Sequence, residues 1–83
     1  MIEVLPQVQI IDLDNGKKVL ANMMTDKVYE INKLTFDIII NLKNYKLNRE
    51  ELFLKLSEEY YLEKSDLDKF INKLKKQEII VEY

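Results

Sequence analysis

The hydrophobic pattern of this chain changes its period at one point, and that point limits the folds open to it. Before Asn32, three short runs are rich in β-branched residues or alternate between apolar and polar, as strands do. After Asn32, apolar residues recur at helical spacing through most of the remaining chain. The segment Lys27–Ile31 is therefore predicted to be the last strand of a small sheet, followed by helices.

Turn signals between the three runs predict an antiparallel meander. Residues 8–13 form the first strand, and Asn15 and Gly16 follow it. Asn-Gly between two strands is the strongest short hairpin signal, because both residues tolerate positive φ. Residues 18–23 are the second strand, and Lys27–Ile31 is the third.

Three helices are predicted after the sheet. Asn32 is a suitable N-cap for a helix from Lys33 to about Lys43. The alternative is a strand through residues 36–40, but the cap and the length of the apolar pattern favour the helix. Thr35, Ile38, Ile39 and Leu42 are expected on its inner face.

The second and third helices carry their own start signals. Asn48 followed by Glu51 is a variant of the capping box and predicts a helix to about Tyr60. The last helix is expected over residues 66–77, with an acidic first turn that suits the helix dipole. Its apolar residues follow the i, i+3, i+4, i+7 template, namely Leu67, Phe70, Ile71 and Leu74.

The ends of the chain show weaker patterns. Residues 1–6 are expected to be a short lead-in, and residues 79–81 a β-like wing that packs back on the core. The resulting fold class is α+β, a three-stranded antiparallel β-meander followed by three helices, in an arrangement like a winged helix-turn-helix. We expect a single domain over residues 1–83, since this length has no room for a second core.

Composition excludes several kinds of function. The chain has no Cys, no His and only one Gly, so thiolate or imidazole chemistry and a glycine-rich phosphate loop are not expected. Its carboxylate pairs lie at predicted helix starts or on solvated faces. We therefore predict that the protein is not an enzyme and binds no cofactor or metal. No apolar run approaches the length of a membrane span, and a cytoplasmic protein without membrane contact is expected.

Nucleic-acid binding is a weaker alternative. Thirteen basic residues face fifteen acidic ones, whereas DNA-binding domains usually carry a basic excess. In a winged-helix DNA-binding protein, the start of the last helix would approach the duplex. In this chain the start of that helix carries Glu63, Asp66 and Asp68. Those carboxylates would face phosphates of like charge. A DNA-binding or structural interaction module remains the alternative interpretation, and we predict no nucleic-acid partner.

The third strand is the leading candidate for a binding site. It has no predicted neighbour on one side, and an open strand edge can accept another strand. The alternative is that Lys27 and Glu30 merely blunt the edge. The sequence leaves open which of the Val28 and Glu30 N–H groups faces outward, so we expect proline at one position to block pairing and at the other to damage the hairpin.

The last helix supplies a possible second wall for such a site. Lys69, Lys73 and Lys76 form a basic row at i, i+4, i+7, with Phe70 and Gln77 on the side of the apolar stripe. A solvated helix face would show the same lysines. If an acidic partner lies along this helix, Lys69 and Lys73 would be within reach of its carboxylates.

Taken together, these segments resemble a known family over nearly the whole chain. The matching segments are Asp14-Asn15-Gly16, Val19-Leu20, residues 25–32, Ile38-Ile39-Ile40-Asn41-Leu42, Glu50-Glu51-Leu52, residues 56–60 and residues 70–74. The chain is similar to the PqqD-like family of peptide chaperones, also called RiPP recognition elements. It departs from the family where Glu78 stands in place of a frequent glycine, which leaves the geometry after the last helix open.

The resemblance implies a function and a set of site residues. Members of the family bind the leader of a ribosomally made precursor peptide as an extra strand on the third strand. They then present it to a tailoring enzyme, such as a radical maturase or a leader peptidase. Carried over to this chain, the peptide-binding residues are Lys27, Val28, Tyr29, Glu30, Ile31, Lys69, Phe70, Lys73 and Gln77.

Overall fold

A computed structural model describes all 83 residues. In chain order the elements are β1 Ile2–Val4, β2 Val8–Asp12, β3 Lys18–Asn22, β4 Lys27–Ile31, α1 Lys33–Asn44, α2 Arg49–Leu56, α3 Lys64–Lys76 and β5 Ile80–Glu82. The α+β class and the antiparallel meander β2-β3-β4 followed by three helices are confirmed. No helix combines the length and the apolarity that crossing a membrane requires.

The meander forms where the turn chemistry predicts it. Gly16 takes a φ of +81° in the β2–β3 turn, a conformation that glycine adopts without a steric cost. The Leu13 carbonyl accepts from the Gly16 N–H at 3.0 Å, and the Asn15 side chain accepts from the Lys17 N–H at 3.1 Å. The β3–β4 connection contains Asp26, which also has positive φ, at 58°.

A second, two-stranded sheet joins the two ends of the sequence. Antiparallel β1 and β5 pair with Glu3 opposite Val81, and Ile2 is fully buried. The prediction of a lead-in over residues 1–6 was therefore wrong for β1. A three-residue strand is too short for alternation to reveal it, and its partner lies at the far end of the chain. The β-like tail predicted at residues 79–81 does pack on the core.

The first two helices begin at their predicted caps. The Asn32 side chain accepts from the Thr35 N–H at 2.8 Å, and Asn48 and Glu51 form a complete capping box. However, α2 ends at Leu56, whereas the sequence pattern extended it to about Tyr60. The chain leaves the helix there, and the Tyr60 hydroxyl donates to Asp37 on α1.

The last helix ends in a left-handed turn that settles the geometry around Glu78. The Ile79 N–H donates to the Leu74 carbonyl and the Glu78 N–H to the Lys75 carbonyl, which is the Schellman pattern. Glu78 itself adopts a φ of 59°. It therefore takes the conformation for which glycine is usually chosen, and it leads the chain directly into β5.

A single core lies among the helices, the small sheet and one face of the meander. Fourteen buried apolar residues form it, including Leu20 from β3 and Ile38 and Ile39 from α1. Alternation in β4 follows the prediction, since Tyr29 packs against this core while Val28 remains 63% exposed. The inner face of β4 is thus directed toward the helices and its outer face toward solvent.

Candidate functional site

A cleft of about 360 Å³ separates β4 from α3. We call it the β4–α3 cleft. It is lined by Val28, Tyr29, Glu30, Ile31, Asn32, Thr35, Phe70, Lys73, Leu74 and Gln77. Its surface combines a strand edge, apolar side chains and a few polar groups from the helix.

The register of the meander determines which backbone groups of β4 face this cleft. Two hydrogen bonds flank the β2–β3 pairing, from the Met23 N–H to the Gln7 carbonyl and from the Leu13 N–H to the Lys17 carbonyl. With the register of the pair, they show that the backbone N–H and C=O groups of the odd-numbered residues of β3 point toward β2. The even-numbered residues therefore face β4, since the direction alternates along a strand. Through the β3–β4 register, the odd-numbered residues of β4 bond to β3.

The backbone N–H and C=O groups of β4 that point away from β3 are consequently those of Val28 and Glu30. Each presents one N–H and one C=O to the cleft. Proline at either position removes an outward donor, so the expectation that one of the two would damage the hairpin was wrong. Val28 and Glu30 are two residues apart, so their backbone groups point to the same side of the strand. Tyr29, between them, is the residue whose backbone groups bond to β3.

A buried asparagine joins the two walls of the cleft. The Asn22 side chain, only 1% exposed, donates to the Glu78 carbonyl at 2.9 Å and accepts from the Met24 N–H at 3.0 Å. It connects the β3–β4 turn with the end of α3. Because Asn22 lies opposite Lys27, the C-terminal end of α3 lies beside the start of β4.

Asn22 was not among the residues predicted from the sequence to form or position the site. A signal for it exists, because Asn22 occupies the inward parity of β3 immediately before a turn. A polar side chain at such a position needs hydrogen-bond partners, and turns offer unpaired N–H groups. Its third partner, the Glu78 carbonyl, is 56 residues away and could not be inferred from the local pattern.

Seven of the nine predicted site residues line the cleft. They are Val28, Tyr29, Glu30, Ile31, Phe70, Lys73 and Gln77. Lys27 lies at the exposed start of β4, and Lys69 lies beside Phe70 on the exposed side of α3. The prediction missed three lining residues, Asn32, Thr35 and Leu74. Asn32 and Thr35 had been assigned to the start of α1 and Leu74 to the core stripe.

The lysines near the cleft are not neutralised by neighbouring carboxylates. Lys27, Lys69, Lys73 and Lys76 form no ion pair, whereas Lys75, on the opposite side of α3, pairs with Glu82 at 3.1 Å. No group of three or more metal-ligating side chains occurs anywhere in the structure. The cleft can therefore offer backbone hydrogen bonds, apolar contacts and positive charge to a ligand.

The back of α3 is held by a network centred on Arg49. The guanidinium of Arg49 bonds both carboxylate oxygens of Glu82 at 2.7 Å, Asp68 at 2.9 Å and Asn72 at 2.9 Å. The hydrogen bonds from Arg49 to Glu82 lower the pKa of Glu82 to about 2, with a smaller contribution from Lys75. The Arg49 network connects α2, α3 and β5, and it fixes the helix that forms one wall of the cleft.

A second groove of about 400 Å³ lies beside β1 and the end of α1, and includes Val4, Lys43 and Lys46. None of the predicted site residues lies there. Its strand edge is partly occupied, because the Ile2 N–H already donates to the Leu47 carbonyl at 2.9 Å. The β4–α3 cleft offers the longer free edge, and we regard it as the candidate site.

Comparison with known proteins identifies the fold. No family model and no curated protein sequence matches the chain. Two solved structures are similar to it over nearly the whole length. One is a lasso peptide synthetase B1 complexed with the leader peptide, with a TM-score of 0.76, 18% identity and 98% coverage of both chains. The other is TbiB1 in complex with the TbiA(beta) leader peptide, with a TM-score of 0.79, 20% identity, and coverage of 98% of this chain and 96% of that one. The chain therefore has the fold of these leader-peptide-bound proteins, while its membership of the PqqD-like family stays a prediction.

Proposed function

We propose that this protein binds the leader segment of a ribosomally made precursor peptide as an added strand on β4. It would then present the peptide to a tailoring enzyme. The observation that carries this proposal is the free edge of β4, where Val28 and Glu30 direct backbone donors and acceptors into a cleft walled by α3. An extended peptide satisfies those groups and places alternate side chains against the helix.

The similar structures support the choice of ligand. Both are complexes with a leader peptide. Their similarity covers the meander and all three helices of this chain, so the elements that form the cleft are shared. We propose that the ligand class is shared as well.

Backbone pairing alone would give weak binding. The two N–H and two C=O groups of Val28 and Glu30 allow four hydrogen bonds, each worth about 0.5–1.5 kcal/mol net. Ordering a flexible peptide costs about 1–2 kcal/mol per residue, which offsets most of this gain. Apolar peptide side chains buried against Tyr29, Phe70 and Leu74, at about 1.5–3 kcal/mol each, would then determine the affinity.

The groups in the cleft suit binding rather than turnover. They comprise backbone amides, apolar side chains, the hydroxyls of Tyr29 and Thr35, the amides of Asn32 and Gln77, and the charged groups of Glu30 and Lys73. No general acid–base pair or nucleophile with a neighbouring base lies among them. We therefore propose a non-catalytic role in which the chemistry belongs to the tailoring enzyme.

Titration of a fluorescently labelled leader peptide tests the proposal directly. The peptides tested are the leaders of candidate precursor genes found near the gene of this protein, and saturable 1:1 binding of one of them is expected. Phe70→Ala should weaken binding about tenfold or more at both low and high salt, because it removes an apolar contact. Leu54→Ala, at an exposed apolar site on α2, is the matched control and should bind like the parent.

A melting curve for each variant separates lost binding from lost folding. Duplex DNA serves as the competing ligand in the same assay. Tight DNA binding without binding of any neighbouring precursor would instead support the winged-helix alternative.

A further inference from the structure

We infer that the cleft selects peptides in which a large apolar side chain and an acidic side chain lie four positions apart in the sequence (i and i+4). This inference rests on the proposed strand addition to β4. It follows from the placement of Phe70 and Ile31 at one end of the cleft and of Lys27 and Gln77 at the other, with Lys73 between them on α3.

Strand geometry limits which side chains of the peptide can contact α3. Residues directly opposite each other in paired strands place their side chains on the same face of the sheet. The side chains of Lys27, Tyr29 and Ile31 are on the helix side, so only the three peptide residues opposite them point toward α3. The first and last of these three are four residues apart.

The direction of α3 determines which of its residues lies beside each end of β4. The bond from Asn22 to Glu78 holds the C-terminal end of α3 beside the Lys27 end of β4. Phe70 lies seven residues before Gln77, about 10 Å along a helix. The four steps from Lys27 to Ile31 span about 13 Å in a strand. Phe70 therefore faces the Ile31 end, and Gln77 faces the Lys27 end.

The Ile31 end is suited to an apolar side chain. Ile31 and Phe70 are both partly buried against the core and line the cleft there, and the buried Thr35 lies beside them. Asp66 lies one helical turn before Phe70 on the same face of α3. A second carboxylate from the peptide would be repelled at this end.

The Lys27 end is suited to a carboxylate. Lys27 borders the cleft at the start of β4 and points to the helix side of the sheet by alternation, and Lys73 lines the cleft between Phe70 and Gln77 on α3. Neither lysine is engaged in an ion pair, and the Gln77 amide adds a further donor. Asp26 and Glu78 lie in the turns that adjoin this end. Glu30 lines the cleft, but its side chain lies on the opposite face of the sheet from Tyr29 and pairs with Lys17 at 3.7 Å.

Selection from a display library of random 12-residue linear peptides tests this inference without knowledge of the natural ligand. Peptides enriched on the parent protein should share an apolar residue and, four positions away, Asp or Glu. Changing that acidic residue to Lys in a synthetic peptide should weaken binding roughly two- to fivefold at low salt, as expected for partly exposed ion pairs.

A charge reversal then links the acidic position to the two lysines. In Lys27→Glu, Lys73→Glu, the enriched residue at that position should change to Lys or Arg, while the apolar residue stays. Lys43→Glu, Lys76→Glu makes the same change in net charge outside the cleft, and it should retain the acidic preference. Circular dichroism confirms that both variants are folded.

The outcomes separate the inference from the proposal on which it rests. Saturable peptide binding with no fixed spacing, or with an acidic preference that survives the cleft reversal, overturns the inference and leaves strand addition intact. Failure to enrich any peptide on the folded parent overturns both.

Discussion

The two sheets of this small protein differ in whether their strand edges are bonded to neighbouring segments. In the two-stranded sheet, β1 bonds β5 on one side and Leu47 on the other, and Glu82 of β5 is held by Arg49 and Lys75. In the meander, β4 presents the backbone N–H and C=O groups of Val28 and Glu30 to the β4–α3 cleft. Both strands of the small sheet are therefore held by neighbouring segments, β1 by Leu47 and β5 by side chains of α2 and α3. This contrast suggests that the small sheet provides rigidity, while β4 is left available for a ligand.

The largest expected effect comes from moving a proline by one residue along β4. Tyr29→Pro removes an N–H bonded to β3 and should destabilise the protein by about 3 kcal/mol or more, measured by urea unfolding. Glu30→Pro removes an outward N–H and should cost much less stability while eliminating peptide binding. Equal destabilisation by the two prolines would show that the edge assignment is incorrect.

Asn22→Ala should have the next largest effect, because it affects both walls of the cleft. It leaves the Glu78 carbonyl and the Met24 N–H without their buried partner, at a cost of about 2 kcal/mol in urea unfolding. Asn15→Ala, in the exposed β2–β3 turn, is the control and should cost well under half as much. If the two changes cost the same, Asn22 does not join the walls as the geometry indicates.

Lowering the pH should reduce the free energy of unfolding, because Glu82 in the small sheet becomes protonated. Its pKa is about 2 in the folded protein against an ordinary 4.5, so its contribution is fully present above pH 4.5 and is lost as the pH falls toward 2. Because this network is partly open to solvent, we expect about 1 kcal/mol. Arg49→Gln should remove this pH-dependent part when unfolding is compared at pH 6 and pH 3. Lys64→Gln, which disrupts an exposed 4.0 Å pair with Glu50, should keep the parent pH profile.

The smallest expected effect distinguishes the two left-handed residues next to the sheets. Glu78→Gly relieves a non-glycine φ of 59° and should stabilise the protein by about 0.5–1 kcal/mol in thermal unfolding. Asp26→Gly relieves a similar φ of 58°, but Asp tolerates this region better, so the gain should be smaller. A loss of stability in Glu78→Gly would show that its side chain contributes more than the strain costs.

Much of the fold could be predicted because its signals are local. The hairpin at Gly16, the cap at Asn32, the capping box at Asn48 and the apolar stripe of α3 each lie within a few residues of the structure they specify. Strand β1 could not be predicted, since three residues carry no period and its partner is distant in the sequence. The end of α2 was missed because the pattern continues to Tyr60, whereas a tertiary bond to Asp37 directs that residue elsewhere.

The site was predicted in part for the same reason. Periodicity identified β4 and the apolar stripe of α3, and the resemblance to the PqqD-like family implied that the two form one site, where seven of the nine residues lie together. The distinction between Lys73, which lines the cleft, and Lys69, which does not, depends on the rotation of α3 against β4. The packing of the core and the bond from Asn22 to Glu78 set that rotation, and both involve residues far apart in sequence.

Because the walls of the cleft are joined across 56 residues, the site forms only when the whole domain folds. A ligand of the cleft then has no affinity for the unfolded chain, and its binding free energy adds to the free energy of unfolding. At a ligand concentration of one hundred times Kd, this linkage amounts to about 2.7 kcal/mol. In a domain of this size it corresponds to a rise in Tm of roughly 10 °C or more. Thermal shift is therefore a direct way to search a panel of unlabelled precursor peptides for the natural ligand.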